Sequence, residues 1–229
     1  MASRVALVTG ASGGLGTHVT KALLDAGFLV AGLAPKIQPH DFDHPHFTAL
    51  PATLNNLDEA KKATETVIAH FGRIDLLAHT VGGFAGGQSV ADTDDATFSR
   101  MFDMNLHSAF HILRAVIPHM RTAGAGRIVA IGSRAAEAPG AMVGAYSASK
   151  AALVSLIRTV AMENKDAGMT ANIILPGTID TAANRAAMPS ADVSTWVKPE
   201  SIASLIVWLA GNDAADVTAA VIPVYGRGL

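Results

Sequence analysis

The chain has 229 residues, 50% of them hydrophobic, with 17 Lys and Arg against 19 Asp and Glu for a net charge of −2 at neutral pH. That balance removes the electrostatic footprint of a nucleic-acid or anionic-membrane binder, and the lack of any cysteine excludes disulfides, thiolate nucleophiles and Cys-ligated zinc. No apolar run approaches the roughly 18 residues of a spanning helix, and no repeat, charge block or linker divides the chain, so a single cytoplasmic domain over 1–229 is expected.

In chain order, Val5-Ala6-Leu7-Val8-Thr9 reads as a buried strand running directly into Gly10-Ala11-Ser12-Gly13-Gly14-Leu15-Gly16 and a helix over 17–26. Glycines at such a turn let backbone N–H groups approach a diphosphate at the helix N-terminus, although they also serve plain packing. A second strand over 28–33 ends at Ala34-Pro35-Lys36. The stretch His40-Asp41-Phe42-Asp43-His44-Pro45-His46 offers three imidazoles and two carboxylates, but Pro39 and Pro45 break it, and no metal site is expected there. A short strand over 47–50 precedes a helix over 56–71 whose apolar face carries Leu57, Ala60, Thr64, Val67 and Ile68. A strand over 74–78 then leads into His79-Thr80-Val81-Gly82-Gly83-Phe84-Ala85-Gly86-Gly87. The next helix, over 95–122, includes Met104-Asn105-Leu106 and places His107 and His111 on one face, where helix packing is their expected role.

The β-branched run Arg127-Ile128-Val129-Ala130-Ile131-Gly132-Ser133 puts a hydroxyl at the carboxyl end of a strand, the end where ligands sit in open α/β sheets. A helix over 145–168 opens on Tyr146-Ser147-Ala148-Ser149-Lys150, with the phenol and the ammonium one turn apart on a common face. A free tyrosine, with its pKa near ~10, is a poor acid at neutral pH. A lysine ~4 Å away supplies ~1 kcal/mol through bulk water and ~4 kcal/mol at an effective dielectric near 20, so the pair works only in a water-poor cleft. Taken without their surroundings, the two are ordinary helix residues. The only other tyrosine, Tyr225, has no lysine four residues on. A segment over 178–197, a helix over 199–211 and a strand over 219–224 complete the chain.

Together the glycine turn, Ser133, Tyr146 and Lys150 resemble the short-chain dehydrogenase/reductase family, with its Thr-Gly-x-x-x-Gly-x-Gly turn, its serine and its Tyr-x-x-x-Lys thirteen residues later. The resemblance implies an α/β fold: one Rossmann-type doubly wound parallel sheet, order 3-2-1-4-5-6-7, with helices on both faces and right-handed crossovers. It implies that Asn105 is a structural and proton-relay asparagine holding a water behind Lys150, and that Pro176-Gly177-Thr178-Ile179-Asp180-Thr181 is the nicotinamide-side loop. Cofactor contacts are then expected at Gly10, Ser12, Gly13, Gly14, Leu15 and Gly16, at Val81, Gly82 and Gly83, at Tyr146 and Lys150, and at Pro176, Gly177, Thr178, Ile179 and Thr181. Ala34 stands where an acidic residue would hold a ribose 2′-hydroxyl and repel a 2′-phosphate, so NADP(H) is favoured over NAD(H). Lys36, with Arg4 or Arg73, is the expected phosphate partner, unless Lys36 is simply a solvated loop charge. The aspartate usual next to adenine is replaced by Thr53 or a neighbour.

After the fourth strand the family's usual Asn-Asn-Ala-Gly is absent. The Gly82–Gly87 segment instead resembles the quinoid dihydropteridine reductase branch, as does the stretch from Leu175-Pro176 through Asn184-Arg185, Met188-Pro189 and Ala191-Asp192 to Trp196. That branch generally lacks the serine and the relay asparagine, both present here as Ser133 and Asn105. The expected activity is hydride transfer from NAD(P)H to a small ketone, aldehyde or quinone, with Tyr146 as acid, Lys150 lowering its pKa and Ser133 polarising the acceptor oxygen. The alternatives are a quinoid dihydropteridine reductase and a non-catalytic cofactor-sensing protein. The substrate pocket is expected at Phe84, Ala135, Met142, Val143, Met188 and Trp196 under a lid around 178–197, in a homodimer or homotetramer.

Overall fold

Every residue of β1 (Val5–Thr9) is buried, because the strand lies mid-sheet with helices against both faces and must be apolar on both sides. The computed structural model describes residues 3–227. Around β1 the chain winds α1 (Gly16–Asp25), β2 (Leu29–Ala34), β3 (Phe47–Pro51), α2 (Leu57–Phe71), β4 (Leu76–His79), α3 (Asp95–Phe102), α4 (Ser108–Ala123) and β5 (Gly126–Ile131). It continues through α5 (Gly144–Asn164), β6 (Met169–Pro176), the short α6 (Ala182–Ala187), α7 (Pro199–Leu209) and β7 (Val221–Val224). The seven strands are parallel, in the order β3-β2-β1-β4-β5-β6-β7. Alternate residues of each strand feed two cores. Leu7, Leu77, Ile128 and Ile173 pack under α2, α4 and α5, while Val8, Ala78, Val129 and Ile174 pack under α1 and α7.

Local chemistry sets the boundaries. Asn56 caps α2 by accepting from Glu59 N at 2.9 Å, and Gly72, at φ 77°, ends it. The helix expected over 95–122 is interrupted by a π turn over Asp103–His107, in which Ser108 N–H donates to Asp103 O. The helix expected to reach 168 stops at Asn164 and passes through a 3-10 turn to Gly168 at φ 67°. β6 hides from periodicity because Thr170 and Asn172 interrupt its apolar run. Asn172 is satisfied by donating to Val217 O and accepting from Ala220 N, which staples the approach to β7. β7 starts two residues later than expected because Ala219 is left-handed, at φ 57°.

Two expectations fail at the edge where the strands begin. Arg4 donates to Ala210 O at 2.6 Å and stacks on Phe28 at 4.4 Å, and Arg73 is held bidentately by Asp75. Asp75 also accepts from Val5 N, which fixes it at the start of β1. In a parallel sheet that edge is opposite the glycine turn, so neither arginine faces a phosphate bound there. No helix of the described residues is long and apolar enough to cross a membrane.

A Cβ on Gly16 would lie 2.0 Å from Gly10 O, in the tightest part of the turn. Gly16→Ala is therefore expected to lower the urea unfolding midpoint and to abolish dinucleotide binding in a fluorescence titration. Native stability and affinity in that variant would show that the turn tolerates another geometry.

Candidate active site

The carboxyl ends of β1, β4, β5 and β6 open on one crevice. Its first wall is the glycine turn, closed by Gly13 N donating to Gly10 O at 2.9 Å. The helix that follows has no side-chain cap and no acid in its first turn, and because Thr17 N and His18 N already donate to Gly13 O and Leu15 O, an anion would be met by the turn ahead of them. The second wall is the loop after β6, whose Thr181 comes so close that a Cβ on Gly14 would lie 3.0 Å from it. Between β2 and the start of α4 runs a cleft of about 420 Å³ whose lining includes Gly10, Leu33, Ala34, Thr53, Val81 and His107. Lys36 is exposed and outside that lining, while Ala34 and Pro35 are part of it. Thr53 donates to Glu59, and with Leu54 and Asn55 it forms the cleft wall where the family's aspartate was missed. His107 does not pack against a helix as expected. It lines this cleft with Nδ1 2.8 Å from Asp103 Oδ1, whereas His111 does pack, its Nδ1 2.9 Å from Leu54 O.

The chemistry-bearing groups gather at the far end of the crevice. Ser133 follows the last strand residues of β5, and its Oγ accepts from Ala135 N and acts on the Tyr146 phenol to favour its ionised form. Lys150, one turn along α5, is 4% exposed and donates from Nζ to Ile131 O at 2.9 Å. Burial lowers its pKa to about 8. The phenol departs from expectation: burial raises its pKa and the Ser133 hydrogen bond opposes the rise, whereas the lysine is not among the groups that shift it. In the protein alone, desolvation therefore outweighs the ammonium.

Asn105 ties the site to the loop after β4. The π turn points it inward, 0% exposed, where Oδ1 accepts from Gly83 N at 2.9 Å and Nδ2 donates to Gly83 O at 3.1 Å and Ser149 Oγ at 3.0 Å. Ser149 Oγ in turn donates to Tyr146 O. Both amide hydrogens are spent on the protein, so the side chain clamps the Gly83 backbone to the tyrosine's turn. Gly82 lies over this clamp, where a Cβ would be 2.9 Å from Asn105 Oδ1 and 3.0 Å from Lys150 Nζ.

Phe84 stands edge-on to Tyr146 with ring centroids 5.0 Å apart and is 68% exposed, an unusual position for a phenylalanine. Met142, 52% exposed and at φ 63°, accepts through its carbonyl from Gly87 N, which ties the Phe84 loop to the start of α5. Val143 and Ala135 are half-buried on the same side of α5, and Met188 and Trp196 belong to the segment after β6. That segment is held down by Val197 N donating to Thr178 O and by the Arg185–Asp180 pair, with Nε to Oδ1 at 2.5 Å. Sequence reasoning missed Val90, 79% exposed, whose side chain covers Gly144 beside the tyrosine, because a single valine in a polar loop carries no pattern. Among the described residues no group of three or more His, Asp or Glu is gathered to hold a cation. The histidines of 40–46 instead contact one another, His44 with His46.

The residue most clearly overlooked is His79. It ends β4 at 2% exposure, with Nδ1 2.8 Å from Thr9 Oγ1. Burial, aided by the charge of Lys150, lowers its pKa to about 3.

A doubly wound parallel sheet, a glycine turn at an uncapped helix and a Ser-Tyr-Lys cluster at the strand ends define a dinucleotide-binding oxidoreductase. Residues 4–191 match the short chain dehydrogenase model, and the chain belongs to that family. The short chain dehydrogenase ausX of Penicillium brasilianum is 30% identical, over 96% of this chain and 94% of its own length. In fold, the chain is similar to the structure of ElxO with NADP bound, with a TM-score of 0.92, 21% identity and coverage of 98% of each chain. It is also similar to the 3-ketoacyl-(acyl-carrier-protein) reductase of Brucella melitensis complexed with NADH, with a TM-score of 0.86, 23% identity and coverage of 99% of this chain and 98% of that one.

Because the unfolded chain takes up a proton at His79 near pH 6.5 and the folded chain only near 3, the unfolded state is favoured as pH falls through that window. Stability is expected to be full above about pH 6.5 and to decline toward pH ~3. His79→Gln should flatten the decline in urea midpoints measured between pH ~7 and ~4. An unchanged slope would mean that other groups control acid unfolding.

Proposed function

We propose that this chain is an NADP(H)-preferring reductase of small carbonyl compounds in which Tyr146 is the general acid. The observation that carries the reading is the buried Lys150 one helical turn from Tyr146, whose phenol feels the Ser133 hydroxyl, at the strand ends where the glycine turn opens. The residues fit a dinucleotide: the glycine turn leading into α1, with no acid in the helix's first turn, suits a diphosphate, and the cleft beside Thr53 and Val81 suits an adenosine. When bound, the reduced nicotinamide supplies the hydride for the carbonyl carbon. The chain supplies the rest.

Ser133 Oγ donates to the carbonyl oxygen and increases the polarity of the C=O bond. Tyr146 then gives its proton to that oxygen as negative charge develops there, and Lys150 offsets the charge left on the phenolate. A phenol whose pKa is raised by burial stays protonated and ready to donate. Asn105 keeps Gly83 and Ser149 fixed so that the turn bearing Tyr146 does not shift. The lack of an acid at Ala34 supports NADP(H). The two structural relatives hold NADP in one case and NADH in the other.

Phe84, Val90 and Met142 form an exposed apolar rim beside the phenol, which supports an apolar substrate with no fixed charge partner. Residues 178–197 serve as its lid, and Met188 and Trp196 complete the pocket. Apolar side chains left exposed on α3, α4 and α5, including Phe98, Phe110 and Met162, support a homo-oligomer. A particle of 23.5 kDa in light scattering would overturn that part. A second reading, quinoid dihydropteridine reduction, is favoured by the Phe84 ring beside Tyr146, because a flat conjugated substrate could stack there.

One panel separates these readings. Ketones, quinones and a quinonoid dihydropterin are offered to the enzyme with NADPH and with NADH, and the loss of reduced-cofactor absorbance is followed. The expected result is turnover of carbonyls with a lower KM for NADPH and a kcat at least ~100-fold lower in Tyr146→Phe with cofactor affinity retained. The rate should be level below pH ~8 and fall above it as Lys150 loses its proton. Full activity in Tyr146→Phe would overturn the mechanism, and turnover of the dihydropterin alone would favour the second reading.

A further inference from the structure

His79 takes no part in the steps above, yet it stands between the two halves of the site. In the sheet it is paired with Thr9 of β1 on one side and Ala130 of β5 on the other. Thr9 adjoins the glycine turn. Thr80, the next residue along, donates its hydroxyl to Thr9 O at 2.7 Å, and Gly82, three residues on, lies against Lys150 Nζ. His79 alone among the nine histidines is buried, and among the described residues no group lies within hydrogen-bonding reach of its Nε2. Lys150 is left equally short, because its ammonium has three N–H donors and one protein acceptor, Ile131 O. The charge of Lys150 is felt at the imidazole, and no other titratable group among the described residues acts on it.

We propose that His79 is a positioning residue for Lys150: anchored by Thr9 and set as the Nδ1–H tautomer by the ammonium it faces, it presents the lone pair of Nε2 toward that ammonium and accepts from it through one buried water. The inference rests on the catalytic role of Lys150 proposed above. A neutral imidazole has one donor and one acceptor nitrogen, and the partner of one decides the role of the other. The Thr9 hydroxyl can donate or accept, so it leaves the choice open. The other side decides, because an N–H aimed at a buried ammonium is repelled while a lone pair is attracted. A buried nitrogen and a buried ammonium, each with unused hydrogen-bonding capacity on the same side of the sheet, are the setting in which an internal water is held. The arrangement ties the position of Lys150 to that of the residue before Gly10, so the proton-handling end of the crevice and its diphosphate-binding end share one clamp.

The test uses the whole protein and no substrate. In [15N]histidine NMR, the His79 imidazole, assigned by its loss in His79→Gln, is expected to show a protonated Nδ1 and an unprotonated Nε2 near neutral pH. The reverse tautomer would overturn the proposal. The Cε resonance of Lys150, followed by 13C NMR, is expected to titrate lower in His79→Leu than in the native protein by about half a pH unit or more. His79→Gln, which keeps an acceptor, should restore most of the difference, and an unchanged Lys150 titration in His79→Leu would overturn the proposal. Should His79→Leu fail to fold, Thr9→Val keeps the ring and removes its anchor, and is expected to leave the tautomer unchanged while lowering the Lys150 titration, because the ring is no longer held toward the ammonium. An unchanged Lys150 titration there would contradict the clamp. Since none of these readouts depends on turnover, a protein that passes them while reducing no carbonyl would refute the functional reading alone.

Discussion

The structure turns on one costly contact, the Lys150 ammonium held under the sheet by a single backbone carbonyl, Ile131 O. A charge stripped of water is unstable unless nearby groups answer it, and here burial has already moved the amine to about 8. The surrounding architecture answers it in layers. The parallel sheet ends its strands together, so carbonyls that have run out of ladder partners lie where the lysine arrives. The loop after β4 must then pass over the ammonium with no room for a side chain, and the residue there is Gly82. Asn105 holds that loop by both its backbone groups at Gly83.

The three titratable groups of the site are set apart by their surroundings. The phenol is pushed toward its neutral form, the amine is brought closer to neutrality, and the imidazole is kept uncharged. Burial is the first cause in all three. A site that shifts these three groups toward their uncharged states favours passing a proton over storing charge, and it leaves the lysine as the one cation among them at neutral pH.

Much of this was legible in the sequence wherever the determinant was local. The glycine turn, the strand ending at Ser133 and the one-turn spacing of Tyr146 and Lys150 follow from short-range pattern, and the sheet order follows from the family they resemble. What stayed hidden was long-range. Arg4 and Arg73 looked like phosphate partners because sequence does not say which end of a strand a residue occupies. β6 was obscured by Asn172, whose partners lie 45 and 48 residues away. His79 read as a departure from the family's motif, since nothing nearby in sequence reveals that Thr9, 70 residues earlier, receives its ring. His107 was assigned to packing because helical spacing assumes an unbroken helix, and the helix breaks there.

That break has a consequence for how the chain tolerates change. Asp103–His107 winds wider than the helices on either side, so the segment holds a surplus residue that rotates everything after it. With regular winding, the amide that grips Gly83 would swing around the cylinder toward solvent while the apolar stripe of α4 moved off its neighbour. The length of this segment is therefore more tightly constrained than most of its side chains: point substitutions leave the phase intact, but a one-residue deletion would disengage the grip without touching any residue that performs it.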